Sequence, residues 1–302
     1  MKKENIELTK EQALLLKARA KKPFNAKRFI IRAIESFFVI LGVAIILFPI
    51  FWIVVRSFAP NDYVPIQEWS FFPKNPTAEN FIAVLTKPLK GGYNLVNSLF
   101  WTLIVSVASV VLGLIIMMTA AFAFARLEFR GKGVLWWYTI ITMFVPGIAV
   151  NLTSVYLVDL IGLKDTVWVL ILPGLAGGYG IFFFRQFFLG LPNSLEEAAM
   201  IDGCPIFQIF LKIFVPMSIT PIVIIATRMF NGHWNSYLWP ALTIRDNREK
   251  YAQVMQLLAA IKESEETAYV IAATMVSIII PILLFALNQK RIVSGIAISG
   301  MK

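Results

Sequence analysis

Leu99-Phe-Trp-Thr-Leu-Ile-Val-Ser-Val-Ala-Ser-Val-Val-Leu-Gly-Leu-Ile-Ile-Met-Met-Thr-Ala-Ala-Phe-Ala-Phe-Ala125 contains no Asp, Glu, Lys or Arg. A helix that crosses a bilayer needs about 20 mostly apolar residues, within a range of roughly 17–25, and this stretch exceeds that length. Five more stretches share its character: 36–55, 133–158, 166–184, 213–244 (interrupted by Arg228) and 267–289. The backbone finds no water to bond in hydrocarbon, so each stretch must satisfy its own N–H and C=O groups as a helix. Pro49, Pro146, Pro173, Pro216, Pro221, Pro240 and Pro281 lie within or beside them and predict kinks, not the end of a span. Composition agrees, at 58% hydrophobic and 15% charged, whereas a soluble domain is about half apolar and roughly a quarter charged. The expectation is an all-α polytopic membrane protein of the cell membrane, with six transmembrane helices at about 36–55, 99–125, 133–158, 166–184, 213–240 and 267–289.

An even number of spans puts both termini on one side. Eighteen of the 28 basic residues fall on that side: ten in the first 35 residues, three in 126–132, then Arg185, Lys212, Lys290, Arg291 and Lys302. Nine fall on the other side, and Arg228 lies inside a span. The excess marks cytoplasmic segments, so both termini are expected inside. The net charge of +10 thus reflects topology, and nucleic acid is not expected as a partner.

Residues 1–30 are polar and basic where a secretory signal would carry an apolar core. They are expected to form an N-terminal extension to a transmembrane domain covering 31–302. Thr9-Lys-Glu-Gln12 has the form of a capping box that opens a short helix through Ala13–Ala18, resting on the cytoplasmic bilayer surface. The single Cys204 excludes a disulfide within the chain and argues against a cysteine metal site. Of the two long outer loops, 56–98 combines turn residues (Asn61, Asp62, Pro65, Pro73, Asn75, Pro76, Pro88, Gly91, Gly92) with the aromatics Tyr63, Trp69, Phe71 and Phe72. It predicts surface turns with enough apolar mass to dock on the membrane domain or a partner. The other loop, 245–266, carries both charge signs and a short helix near 251–261.

No motor is visible. The phosphate-cradling GxxxxGK[ST] loop is absent. Gly174-Leu-Ala-Gly-Gly-Tyr-Gly180 lacks the lysine and sits in a span, where small residues permit close helix packing. Ion coupling wants carboxylates at membrane depth, but Glu35, Asp159, Asp165 and Glu266 lie at the edges of the spans. His233 is the only histidine, no GxSxG turn occurs and no metal-ligand cluster is apparent. The chain is expected not to be an enzyme, and its energy must arrive from another polypeptide.

One segment differs from all others: Leu191-Pro-Asn-Ser-Leu-Glu-Glu-Ala-Ala-Met-Ile-Asp-Gly-Cys-Pro-Ile-Phe-Gln-Ile-Phe-Leu-Lys-Ile-Phe-Val-Pro216. Pro192 ends the fourth span. Ser194 is expected as an N-cap, with Glu197 closing a capping box and Glu196 favoured at the positive helix end. Ala198 and Ala199 keep one face small, Gly203 permits a turn that a Cβ would resist, and Pro205 suits the first turn of the next helix. The result is a helix–turn–helix leading into the fifth span.

This pattern resembles the EAA loop of ABC importer permeases: Glu197-Ala198-Ala199, three residues, Gly203, nine residues, then Ile213, Phe214, Val215 and Pro216, with Val215 where the family has Leu. The resemblance covers roughly residues 30–302 and is nearest to the second permease of the sugar-import branch. Its finer marks are Phe124-Ala-Arg-Leu-Glu-Phe-Arg-Gly131, Trp234-Asn-Ser-Tyr-Leu-Trp-Pro240 and Gln289-Lys-Arg-Ile-Val-Ser-Gly295 with Gly300-Met-Lys302. It implies a cytoplasmic coupling helix between helices 4 and 5 that seats on an ATPase, through Glu196, Glu197, Ala198, Ala199, Asp202, Gly203, Ile213 and Pro216. It further implies a homologous second permease forming a heterodimer and two ATPase subunits holding the ATP and Mg, with no cofactor on this chain. An extracytoplasmic solute-binding protein, surrounding lipid and a carbohydrate solute complete what it implies. The residues alone leave open a permease for a peptide, polyamine or phosphonate, and a non-transporting membrane scaffold. Arg228, Asn231, His233, Trp234 and Asn235 are the candidates for lining a route, because polar amides and a flat ring suit a sugar. A single helix cannot aim all five inward.

Overall fold

The computed structural model describes residues 26–60, 72–73, 75–263 and 266–299. The helix expected near residues 9–18, the turn residues Asn61 to Phe71 and the tail 300–302 lie outside the described residues. The chain divides into two compact units, Met1–Trp52 and Ile53–Lys302. Helix α1, Ala26–Ser57, runs through the boundary with Pro49 inside it. Phe38, Ile45 and Ile46 of its first part are exposed, as suits a helix apolar on every side in a hydrocarbon surrounding.

In the second unit, α2 is Glu79–Thr86 and α3 is Leu95–Arg126. Asn94 caps α3 by accepting the Asn97 N–H at 2.9 Å. One face of α3 is buried through Ser98, Thr102, Val105, Ser109, Gly113, Met117, Ala121 and Phe124, in steps of three or four. Most of these are small, so neighbouring backbones can come close. The opposite face presents Phe100, Val107, Val111 and Ile115.

Three expected spans are broken. The stretch 133–158 forms α4, Lys132–Thr142, and α5, Gly147–Leu160, bent by 106°. Pro146 is the cause: it has no N–H to continue the helix, and it disfavours helical backbone at Val145. The stretch 166–184 forms α6, Val167–Ile171, and α7, Gly178–Leu189, separated at Pro173 and by a left-handed Gly174. The helix expected over 213–240 starts earlier and ends sooner. After α8, Asn193–Ile201, α9 runs Ile206–Met217 and α10 Ile219–Trp234, with a 78° bend at Ser218. Pro221 would clash with the Met217 carbonyl in a straight helix, and Ser218 Oγ closes the corner on Phe214 O at 2.6 Å. Then come α11, Leu238–Thr243, α12, Arg248–Tyr251, α13, Val254–Ile261, and α14, Thr267–Ser299. Among the described residues three helices are long and apolar enough to cross a membrane, or up to five if each bent pair is one span.

α3 is the central pillar, packed against α7 and α10, and α10 packs in turn on α14. Near the start of α3 the core holds Leu95, Phe230, Trp234, Leu257, Ile261 and Ala272. Val84, Leu89 and Tyr93 of the turn-rich loop join it, so the later part of that loop packs on its own membrane domain; Phe72 is exposed, and Tyr63, Trp69 and Phe71 lie outside the described residues. At the other end Met117, Phe122, Phe184, Phe188, Phe210 and Phe214 form an aromatic core. Gly178 and Gly180 provide the close packing expected of the glycine-rich run: a Cβ at Gly178 would lie 2.9 Å from Thr139 O, and one at Gly180 would collide with Met117 Sδ.

The loop 245–263 is bound to the bundle by hydrogen bonds. Asn97 Nδ2 donates to Glu249 O and Lys250 O at 2.8 and 2.9 Å. The Val254 N–H donates to Thr102 Oγ1 at 2.8 Å. The short helix expected near 251–261 is present as α13.

Candidate functional site

The EAA segment folds as an elbow. α8 ends at Ile201, Asp202 leaves the helix and Gly203 takes φ +75°. The Cys204 N–H donates to Ala199 O at 2.9 Å and the Gly203 N–H to Met200 O at 3.0 Å. This pair of bonds is a Schellman closure, which satisfies the last carbonyls and requires a left-handed residue. No atom lies within 4 Å of a Cβ built at Gly203, so backbone conformation, not space, selects glycine there. Pro205 then precedes α9.

The expected Ser194 cap does not form. Pro192, at φ −60°, starts the helix at Asn193 without a side-chain cap, which leaves Ser194 inside the first turn and Glu197 too far along to close a box. Glu197 is exposed, whereas Glu196 is buried. Ala198 is exposed and Ala199 half-buried, so the small face turns partly outward. Met200, Ile201 and Phe207 are exposed beside it. Asp202 is exposed.

Ile213 is half-buried within a π-helical turn, Phe210–Phe214, and Pro216 is exposed just after it. The Val215 N–H reaches back five residues to Phe210 O, and Pro216 has no N–H to offer the next carbonyl.

Arg126 holds the elbow to the bundle. From the last turn of α3 its Nη2 donates to Phe188 O at 2.6 Å and Leu191 O at 2.7 Å. Its Nη1 donates to Asn193 Oδ1, and its Nε lies 3.7 Å from Glu196 Oε2 as an ion pair without a hydrogen bond. The guanidinium carbon sits 5.1 Å from the centre of the Phe214 ring. One side chain thus touches the end of α7, the start of α8 and the π-helical turn. The sequence marks Arg126 only as a topological charge within Phe124–Gly131. Its position directly after the apolar run, as the first charge available to a carboxylate in the elbow, was the signal.

The candidate route residues separate into two groups. Arg228 and His233 line a cavity of about 460 Å³ with Asn151, Ser154, Ser236 and Trp239. Arg228 stacks 4.1 Å from the centre of the Tyr179 ring. Asn231, Trp234 and Asn235 do not line it. Trp234 is fully buried and stacks on Phe230, with ring centres 5.5 Å apart, while Asn235 turns its side-chain amide back onto Asn231 O at 2.9 Å. Position along α10 does not separate them, since at about 100° per residue Asn231 and Asn235 lie nearer the Arg228 direction than His233 does; Trp234 is committed to the core beside Phe230, and Asn235 lies past the last residue of α10. Among the described residues no group of three or more His, Cys, Asp or Glu side chains is placed to hold a metal ion.

Residues 109–293, which include the elbow and the cavity-lining face of α10, match the family of binding-protein-dependent transport system inner membrane components. The chain belongs to this family. It is 28% identical over 281 residues to the arabinooligosaccharides transport system permease protein AraQ of Halalkalibacterium halodurans, covering 89% of this chain and 97% of that one. It is 31% identical over 276 residues to the sn-glycerol-3-phosphate transport system permease protein UgpE of Rhizobium meliloti, with the same coverage. A crystal structure of a bacterial ABC transporter for import of the acidic polysaccharide alginate contains a chain of the same fold, with TM-score 0.74 and 21% identity, covering 89% of this chain and 99% of that one. This permease is accordingly a multi-pass inner-membrane subunit of an ATP-driven, binding-protein-dependent importer. An ATPase and a solute-binding protein are partners that this family requires.

Proposed function

We propose that this permease forms half of an inward pathway for a carbohydrate, facing a homologous second permease as a heterodimer. Its six spans place both termini in the cytoplasm, with α6 and α7 together as the fourth span and α9 and α10 carrying the fifth. Residues 1–30 are an extension to the transmembrane domain 31–302. Two ATPase copies below the pair bind ATP and Mg, this chain holding no cofactor, and an extracytoplasmic binding protein delivers the solute. A carbohydrate solute is supported by the polyhydroxylated compounds named for AraQ and UgpE.

The observation that carries the coupling assignment is the elbow. It is a short helix closed at Gly203, clamped through Arg126 and Glu196, and presenting Ala198, Met200 and Ile201 outward. A surface that passes force must be rigid toward the bundle and uncommitted toward its partner, and the elbow has both properties. Glu197 and Asp202 give that surface its charge, and Ile213 and Pro216 fix how it joins the fifth span.

The test is a full complex reconstituted in liposomes. Loaded binding protein should stimulate ATP hydrolysis and carbohydrate uptake together, and cysteines at Ile201 should cross-link to the ATPase. The permease purified alone should hydrolyse no ATP. Hydrolysis by the isolated chain, or an Ile201 cysteine that reacts only from outside the cell, would overturn the reading.

A further inference from the structure

The cavity beside α10 has one charge and no countercharge. Its lining includes Arg228, Asn151, Ser154, His233 and Ser236 and no Asp or Glu. Among the described residues the Arg228 side chain makes no hydrogen bond and no ion pair, and its guanidinium stacks on Tyr179. A guanidinium held by its face keeps its N–H donors free around its edge, where they match the two oxygens of a carboxylate or phosphate. The rest of the polar lining is neutral: two carboxamides (Asn151 and Gln253, whose buried Oε1 accepts no hydrogen bond), hydroxyls, an indole and an imidazole, which exchange hydrogen bonds with hydroxyl groups. An arginine within a membrane span ordinarily faces an anion or a water-filled cavity, and here it faces a cavity whose own lining is neutral.

We propose that this cavity takes a hydroxylated solute bearing a negative charge, a uronate or a phosphorylated sugar or polyol, and that Arg228 is the residue that selects the charge. The proposal rests on the carbohydrate reading above and adds the charge. A carboxylate on the facing permease is the competing partner for Arg228, and the experiment separates the two. Proteoliposomes holding the complete complex are offered three radiolabelled sets: neutral oligosaccharides, uronate oligosaccharides, and phosphorylated sugars and polyols. Accumulation confined to the acidic sets supports the proposal. Accumulation of neutral sugars overturns it and leaves the carbohydrate reading standing, with Arg228 assigned to the partner permease. Accumulation of none overturns both.

On the accumulated acidic solute, Arg228→Gln should lower uptake about tenfold or more per assembled complex, as expected for losing a charge-assisted pair. Arg228→Lys should retain most of it, showing that charge and not folding is at stake. Removing the solute's charge, by methyl esterification or dephosphorylation, should abolish the difference between wild type and Arg228→Gln. Wild-type uptake of the acidic solute by Arg228→Gln would refute the assignment.

Discussion

Replacing Arg126 with Leu keeps the apolar bulk of the side chain and removes its cation. The change deletes donors to Phe188 O and Leu191 O, the bond to Asn193 and the ion pair with Glu196, whose side chain is only 11% exposed. Losing one partner of a buried pair costs about 3–5 kcal/mol, chiefly because the remaining charge stays buried. α8 can escape that penalty by swinging out to hydrate Glu196. The elbow then loses its fixed angle while α3 and α10 remain inserted. The expected outcome is a permease at normal membrane level that hydrolyses ATP through its partners with little solute moved per ATP.

Glu196→Gln should cost less, about 1–3 kcal/mol, since Arg126 keeps its carbonyl acceptors. The double variant Arg126→Leu with Glu196→Leu should recover part of the loss by removing both polar groups, a non-additivity of about 0.5–3 kcal/mol. The assay is uptake and phosphate release measured together in proteoliposomes, with heat inactivation in detergent as the stability readout. A wild-type ratio of uptake to hydrolysis in Arg126→Leu, or strict additivity in the double variant, would refute the reasoning.

Gly203→Val should insert normally but lose uptake, because an L-residue in the left-handed region costs about 1–2 kcal/mol and a β-branched one more; Gly203→Asn should be milder, and equal uptake by the two would sink the Schellman argument. Gly180→Leu should destabilise the bundle by collision with Met117, and Met117→Ala should restore part of the loss, measured as surviving protein after heating in detergent. Glu197→Lys should leave that stability unchanged, since Glu197 is exposed and caps nothing, but should reduce the amount of ATPase that copurifies. With Cys204 replaced, a cysteine at Asn75 should react with an impermeant thiol reagent in intact cells while one at Ser194 should not, and the reverse pattern would invert the topology.

The apolar segments were legible because length and absence of charge are properties of the chain itself. Their breaks were only half legible. Pro146, Pro173 and Pro221 announce a distortion, but its angle depends on what packs around the freed carbonyls, as Ser218 does for the corner at 78°. The elbow was legible at Gly203, where the backbone demands one residue type. It was misjudged at Ser194, because a proline two residues earlier starts the helix as well as a hydroxyl caps it. Arg126 stayed hidden because Phe188, Leu191 and Asn193 lie 62, 65 and 67 residues away along the chain, and only packing brings them together. Among the route candidates, Arg228 and His233 could be told from Trp234 only once a neighbour on each side of α10 was known.

The π-helical turn Phe210–Phe214 amounts to one surplus residue between the elbow and the fifth span. The wide turn absorbs that residue, so deleting one there would restore ordinary α spacing and leave the segments on either side nearly in register. Deleting a residue from the regular turn Ile206–Ile209 would instead rotate everything upstream by about 100° and draw it in by about 1.5 Å, changing the heading of α8 by more than a quarter turn without any change in its own sequence. The orientation of the driven surface is therefore indexed like a gear tooth, in whole-residue steps. A lineage that met a differently placed ATPase could re-aim its elbow by a single codon gained or lost in Ile206–Ile209, or absorb one at Phe210–Phe214 without re-aiming it, whereas substitutions on α8 would alter only what the surface presents.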